Sequence, residues 1–338
     1  MKRPAVTARA DPLHAGIVSA VALAFGLVLA LAGPVSANPA LWKFEWPRTD
    51  FTKTSVDFDS IMSGGPPKDG IPSIDAPRFV PLSDYRSDAE TEPVIAFEQG
   101  GYARAYPLRV LIWHEIVNDT VAGVPVAVTY CPLCNSAVVF DRRVGGRVLE
   151  FGTTGKLRKS DMVMYDRQTE SWWQQFTGTG IVGEMTGAEL KMLPARVESI
   201  ARFRARHPHG RVLVPTDPDL RPYGSNPYRG YDTAAQPFLY RGEMPEGIAP
   251  LAYVVKVGDR AWSLDLLKEK GRIEAGDLVL TWAAGRNSAL DRQKIAEGRD
   301  IGNVTVQRRT PHGLRDEVHD VTFAFVFHAF VENGTLHK

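Results

Sequence analysis

The first apolar block spans residues 17–32 without an ionisable side chain, behind Lys2, Arg3 and Arg9 and ahead of Gly33-Pro34 and the small residues Val35-Ser36-Ala37. A charged start, an apolar run and small residues at its end are the pattern of an export signal, with cleavage expected before Asn38. The run is short of the roughly 20 residues of a membrane-spanning helix, so membrane association is expected only through this segment while it is uncleaved. From 38 to 92 no apolar period persists, and Gly64-Gly65-Pro66-Pro67 with Pro72, Pro77 and Pro81 predicts an irregular arm. Patterning sets in at 94–97 and 102–106, which flank Gly100-Gly101 and predict strand, tight turn, strand. Pro107 then opens a helix, with Leu108, Leu111, Ile112 and Glu115 at helical spacing and Asn118-Asp119 as its end. Residues 124–130 predict a strand, and 137–143 with 147–151 a hairpin around Gly145-Gly146. After a proline-rich stretch at 217–250, regular patterning returns at 251–257 and closes at 320–331, read as a strand with Phe323, Phe325 and Phe327 on one side.

These elements predict a strand-rich α+β fold. The order is an export signal at 1–37, an irregular arm at 38–92, a first lobe at 93–215, a Pro/Gly-rich connection at 216–250 and a second lobe at 251–331. The idea of two lobes rests on an internal repeat. Thr129-Tyr130 and Asn135-Ser136-Ala137 line up with Thr281-Trp282 and Asn287-Ser288-Ala289, and Ala105-Tyr106-Pro107-Leu108 precedes one copy as Ala261-Trp262-Ser263-Leu264 precedes the other. The matched order, rather than the letters, supports duplication. It would give two pseudo-symmetric lobes of which only the first keeps thiols.

The charges nearly cancel, with 40 Lys plus Arg against 39 Asp plus Glu. Losing Lys2, Arg3, Arg9 and Asp11 with the signal leaves a net charge of about −1. Sequence-independent phosphate binding requires a basic surface, so nucleic acid is not an expected partner. No nucleotide cofactor is expected either. Gly152-Thr153-Thr154-Gly155-Lys156 is too short for a phosphate loop, and Leu157 stands where the hydroxyl is required. The chain is expected in the periplasm or secreted.

The only two cysteines, Cys131 and Cys134, form one Cys-Pro-Leu-Cys element. Three chemistries fit this spacing. An exported pair can be a structural disulfide. A redox dithiol is a second reading, in which Cys131 and Cys134 would be catalytic. A thioredoxin-like version needs a helix after the first cysteine, whereas 135–140 reads as a strand. The third is a metal site. Cys-Pro-x-Cys followed by a residue tolerant of left-handed backbone resembles the knuckle of rubredoxins and zinc ribbons, with Asn135 where those carry Gly. With no second cysteine pair the ion would be copper or zinc in a mixed donor set, and His114 in Trp113-His114-Glu115 is the third ligand expected. Arg158, Asp166 and Trp172 are expected to line access to a ligand. Trp172-Trp173-Gln174-Gln175 carries the rival reading, a cell-envelope module that holds a glycan or peptide and keeps its cysteines as a structural disulfide.

The runs 113–119, 129–137, 151–157 and 164–172, in that order, resemble an exported bacterial family known as domain of unknown function 3179. The resemblance spans roughly 90–330 by motif order. It implies no activity, so the chemistry rests on the residues above.

Overall fold

The computed structural model describes residues 39–338; the expected export signal lies outside them. The described chain folds into five small sheets of four or five strands and a two-stranded hairpin of Arg143–Val144 with Arg147–Val148. Blade 1 carries, across the sheet, Arg196–Ser199, Pro93–Gln99, Tyr102–Pro107, Arg211–Val214 and Arg78–Pro81. Blade 2 carries Lys191–Leu193, Ser136–Asp141, Val124–Cys131 and Ile116–Val121, and blade 3 Ile61–Ser63, Phe151–Arg158, Asp161–Asp166, Trp172–Gln174 and Thr179–Val182. Blade 4 is Asp320–Phe323, Tyr253–Val257, Arg260–Ser263 and Thr335–His337; blade 5 is Arg272–Ala275, Leu278–Ala283, Asn303–Thr310 and Gly313–Asp316. Strands this short cannot bury an apolar face alone. Ile95, Val128, Trp173, Val255 and Leu280, one from each blade, belong to a single core cluster.

The expected α+β fold with two lobes is therefore corrected: the chain is a five-bladed β-propeller, 40% strand against 13% helix. Its helices, such as Leu108–Leu111, Ile200–Arg206 and Leu264–Lys270, are connectors of one or two turns, too short to form a layer. Separate lobes are ruled out by the common core and by interleaving. The chain leaves blade 1 after Pro107, builds most of blades 2 and 3, and returns to close blade 2 at Lys191–Leu193 and blade 1 at Arg196–Ser199. The order of elements does recur, but between blades of one ring. In blade 1 a hairpin is joined by an antiparallel return strand, then a helix, then a parallel strand at Arg211–Val214. Blade 4 repeats this with Asp320–Phe323, the helix Ala324–Phe330 and Thr335–His337.

Two local expectations also change. The segment after Pro107 is helical only to Leu111; Glu115 turns left-handed at φ 58, and Ile116–Val121 becomes a strand of blade 2. The last element is a strand only over Asp320–Phe323. Its partner strand begins at Tyr253, so beyond Phe323 there is no ladder to extend, and Ala324–Phe330 coils into a helix that buries Phe325, Val326 and Phe327. The hairpin at Gly100-Gly101 is present, with both glycines at positive φ as its tight turn requires. Among the described residues, no helix is long and apolar enough to cross a membrane.

Candidate metal centre

The Cys-Pro-Leu-Cys element is the turn between Val124–Cys131 and Ser136–Asp141, with Cys131 opposite Ser136. Cys134 N–H donates to Cys131 O at 3.2 Å and Asn135 N–H to Pro132 O at 3.2 Å, while Asn135 adopts φ 48. That is the left-handed position expected for a knuckle, filled by a residue that tolerates it. Blade 4 fixes the turn from outside: Asn135 Nδ2 donates to Val321 O at 2.7 Å, Thr322 Oγ1 to Cys134 O at 2.7 Å and Ser136 Oγ to Asp320 Oδ2 at 2.6 Å. Both sulfurs are buried and not bonded to each other.

Blade 3 brings the third donor. Arg158 and Asp161 are joined by a two-residue turn in which Lys159 and Ser160 take φ 53 and 66, a geometry usually reserved for Asn and Gly. This strained turn aims the Ser160 carbonyl at the sulfurs, 3.6 Å from Cys134 Sγ, and sets Asp161 beside them. One ligand atom each from Cys131, Cys134 and Asp161 lie within 4.8 Å of one another. Asp161 Oδ2 accepts from Gln174 Nε2 at 2.6 Å and from the Phe176 N–H at 2.9 Å. Its Oδ1 is sealed from solvent with no nitrogen or hydroxyl donor, and the Cys131 and Cys134 thiols are the remaining groups that bond to the carboxylate. Glu115, preceding the first strand of blade 2, is buried nearby, and among the described residues no hydrogen bond reaches its carboxylate.

Among the described residues neither acid forms an ion pair, Arg158 acting on Asp161 only at longer range, and the burial therefore favours their protonated forms. Burial, with the Asp161 charge adding to it, pushes the Glu115 carboxyl up to about 8; burial pushes Asp161 up to about 6 against the hydrogen bonds from Gln174 and Phe176. The same desolvation raises the Cys131 thiol, and Cys134 well above the ordinary range. The 216–250 connection roofs the cluster: Tyr231 Oη donates to Leu133 O at 2.9 Å, and Ser160 Oγ to Phe238 O at 2.6 Å.

The other expected site residues lie elsewhere or do structural work. His114 is outside the three-donor group. Its Nδ1 meets Pro72 O at 2.7 Å and its Nε2 meets Tyr223 Oη at 2.7 Å. Arg158 is near the cluster, bonding Ser60 Oγ at 3.1 Å and Gln174 Oε1 at 3.3 Å, with the Asp161 charge acting on it. Asp166 is buried, ties the 166–169 turn through the Thr169 N–H at 2.7 Å and accepts from Trp173 Nε1 at 3.0 Å. Trp172 is 0% exposed, enclosed by Trp42, Trp46 and Phe51 from the arm, and Trp173 is equally buried. An aromatic face for a glycan is therefore not presented at the Trp172-Trp173 pair.

Asp161 is a candidate donor that the sequence expectations did not include. Its signal was a carboxylate leading the apolar Met162-Val163-Met164 run, whose strand is buried along its whole length. No characterised protein and no solved structure shows a significant match to the chain. Over residues 68–334 the sequence matches the profile of the family described as protein of unknown function (DUF3179), and the chain belongs to that family.

Proposed function

We propose that this protein is an exported metal-binding protein whose function centres on one copper or zinc ion held by Cys131, Cys134 and Asp161. The observation that carries this reading is the buried Asp161 carboxylate, in no ion pair among the described residues, set within 4.8 Å of two unbonded thiols. A structural disulfide needs no carboxylate, and an uncompensated buried acid is costly unless a cation joins it. Two sulfurs and one oxygen suit a borderline or soft ion. Three protein donors leave a fourth position open on a tetrahedral ion, and Glu115 is the acid nearest at hand to fill it or to hold a bound water. Thiol exchange is less well supported, because a reactive thiol needs a lowered pKa and access, whereas these are 1% and 0% exposed and raised. In this reading His114 is a structural histidine.

The test is elemental analysis of protein purified without a histidine tag, combined with a thiol count. Stoichiometric copper or zinc that is lost in Asp161→Asn and in a Cys131→Ala, Cys134→Ala double variant, and kept in His114→Ala, is expected. Protein without metal, unable to take up either ion after reduction, overturns the reading.

A further inference from the structure

A groove of about 1050 Å³ opens beside blade 1. It is bounded by the edge strand Arg78–Pro81 of blade 1, the 84–88 loop, Arg109, and residues 213–223 at the start of the proline-rich connection. Four guanidinium groups line it, from Arg78, Arg86, Arg109 and Arg221. Arg109 is neutralised by Asp88 at 2.9 Å and by Glu92 at 3.5 Å. The other three have no carboxylate within ion-pair distance among the described residues; Arg86 bonds only the Ser83 and Tyr85 carbonyls, at 2.8 and 3.2 Å. Arg221 is half-buried, and its Nε is shut off from solvent with no acceptor. Burial, with the Arg221 charge adding to it, disfavours the protonated form of His114.

The lining sets three carboxylates against these four guanidinium groups, none of them within ion-pair distance of Arg78, Arg86 or Arg221. Asp88 is engaged by Arg109, Asp84 accepts from Ser83 Oγ at 2.9 Å, and Asp219 is the remaining one. Leu213, Val80, Pro215 and Pro222 supply an apolar floor, and Tyr223 closes the inner end with its hydroxyl on His114. A sealed guanidinium N–H without an acceptor forfeits a charge-assisted hydrogen bond. A planar fork of donors matches the oxygens of carboxylates and phosphates.

We propose that this groove binds a small organic anion through a carboxylate or phosphate group, with Arg221 at the inner end and Arg78 and Arg86 at the mouth. The size is that of a small-molecule site, and the mixture of guanidinium groups with an apolar floor selects a ligand with a charged head and a short carbon body. The site is separate from the three-donor cluster and does not depend on a metal there.

Isothermal titration of the mature chain with succinate and with inorganic phosphate tests this, since neither chelates metals strongly. One-site saturation by at least one of them is expected, and the preferred probe identifies the head group. Arg221→Gln and Arg78→Gln should each weaken binding at least about tenfold, and Arg221→Lys should recover part of the loss. Arg147→Gln, which removes an exposed pair with Glu184, should leave affinity unchanged. Binding should persist in the Cys131→Ala, Cys134→Ala double variant, which separates this groove from the metal centre. The proposal is overturned if neither probe saturates, if Arg147→Gln weakens binding as much as the groove variants, or if binding disappears with the cysteines. Should Arg221→Gln fail to fold, Arg78→Gln on the exposed edge strand decides.

Discussion

Loading the three-donor cluster with zinc should be steeply dependent on pH, because the ion must displace protons that burial keeps in place. At pH 7 both thiols are protonated, since desolvation raises each of them, while Asp161, pushed up to about 6, is mostly ionised. A zinc ion held by two thiolates and one carboxylate, with water rather than Glu115 in the fourth position, then releases close to two protons; Glu115 as a fourth ligand would add a third, since burial keeps it protonated at pH 7. The apparent association constant should rise about 100-fold per pH unit, roughly 2.7 kcal/mol, between about pH 6.5 and about pH 8. Below about pH 6 the Asp161 proton joins the exchange and the slope steepens toward about three. Competition against a chromophoric chelator, calibrated at each pH, measures this directly. Cys131→Ala should reduce the slope to about one, whereas Asp161→Asn should lower affinity and leave it near two. A slope near zero in the unmodified protein would refute the assignment of the thiols as ligands, and a slope near one would remove one of them.

Four further outcomes follow from single residues. Glu115, raised to about 8 by burial, stabilises the metal-free fold fully below its unfolded value near 4.5, and that contribution is lost as pH rises through 8; Glu115→Gln should flatten a decline of a few kcal/mol at most, read by urea unfolding across that window. At Gly155, φ is +70 and an added Cβ would lie 1.9 Å from Pro66 O, so Gly155→Ala should cost more than about 2 kcal/mol. Gly145→Ala, at φ +56 with nothing within 4 Å, should cost only about 1 kcal/mol, both glycine variants being read by thermal melts. Trp172→Ala should destabilise by about 3–5 kcal/mol, because the ring packs against Trp42, Trp46 and Phe51; an unchanged melting temperature would contradict its place under the arm.

What the sequence by itself determined is local. The Gly100-Gly101 turn, the strand ending at Cys131 and the left-handed Asn135 depend on backbone sterics within a few residues, and these are visible in the letters. Periodicity also identified strands, but it could not say which surfaces they share. Short apolar strands become lobes or blades according to long-range pairing, and here the return of Lys191–Leu193 and Arg196–Ser199 to earlier sheets closed a ring. The run from Asp320 to Phe330 is apolar enough for strand or helix, and only the end of its partner at Tyr253 separated the two. Tertiary structure likewise chose the third donor. His114 lies nearer Cys131 in the chain, yet Pro72 and Tyr223 claim both its ring nitrogens. Asp161, from another blade, reaches the sulfurs because a strained turn at Lys159-Ser160 and the packing of blade 3 against blade 2 deliver it there. The cysteine spacing names two candidate ligands, and the fold sets a carboxylate beside them, since donors on different strands are brought together only by the sheets that carry them.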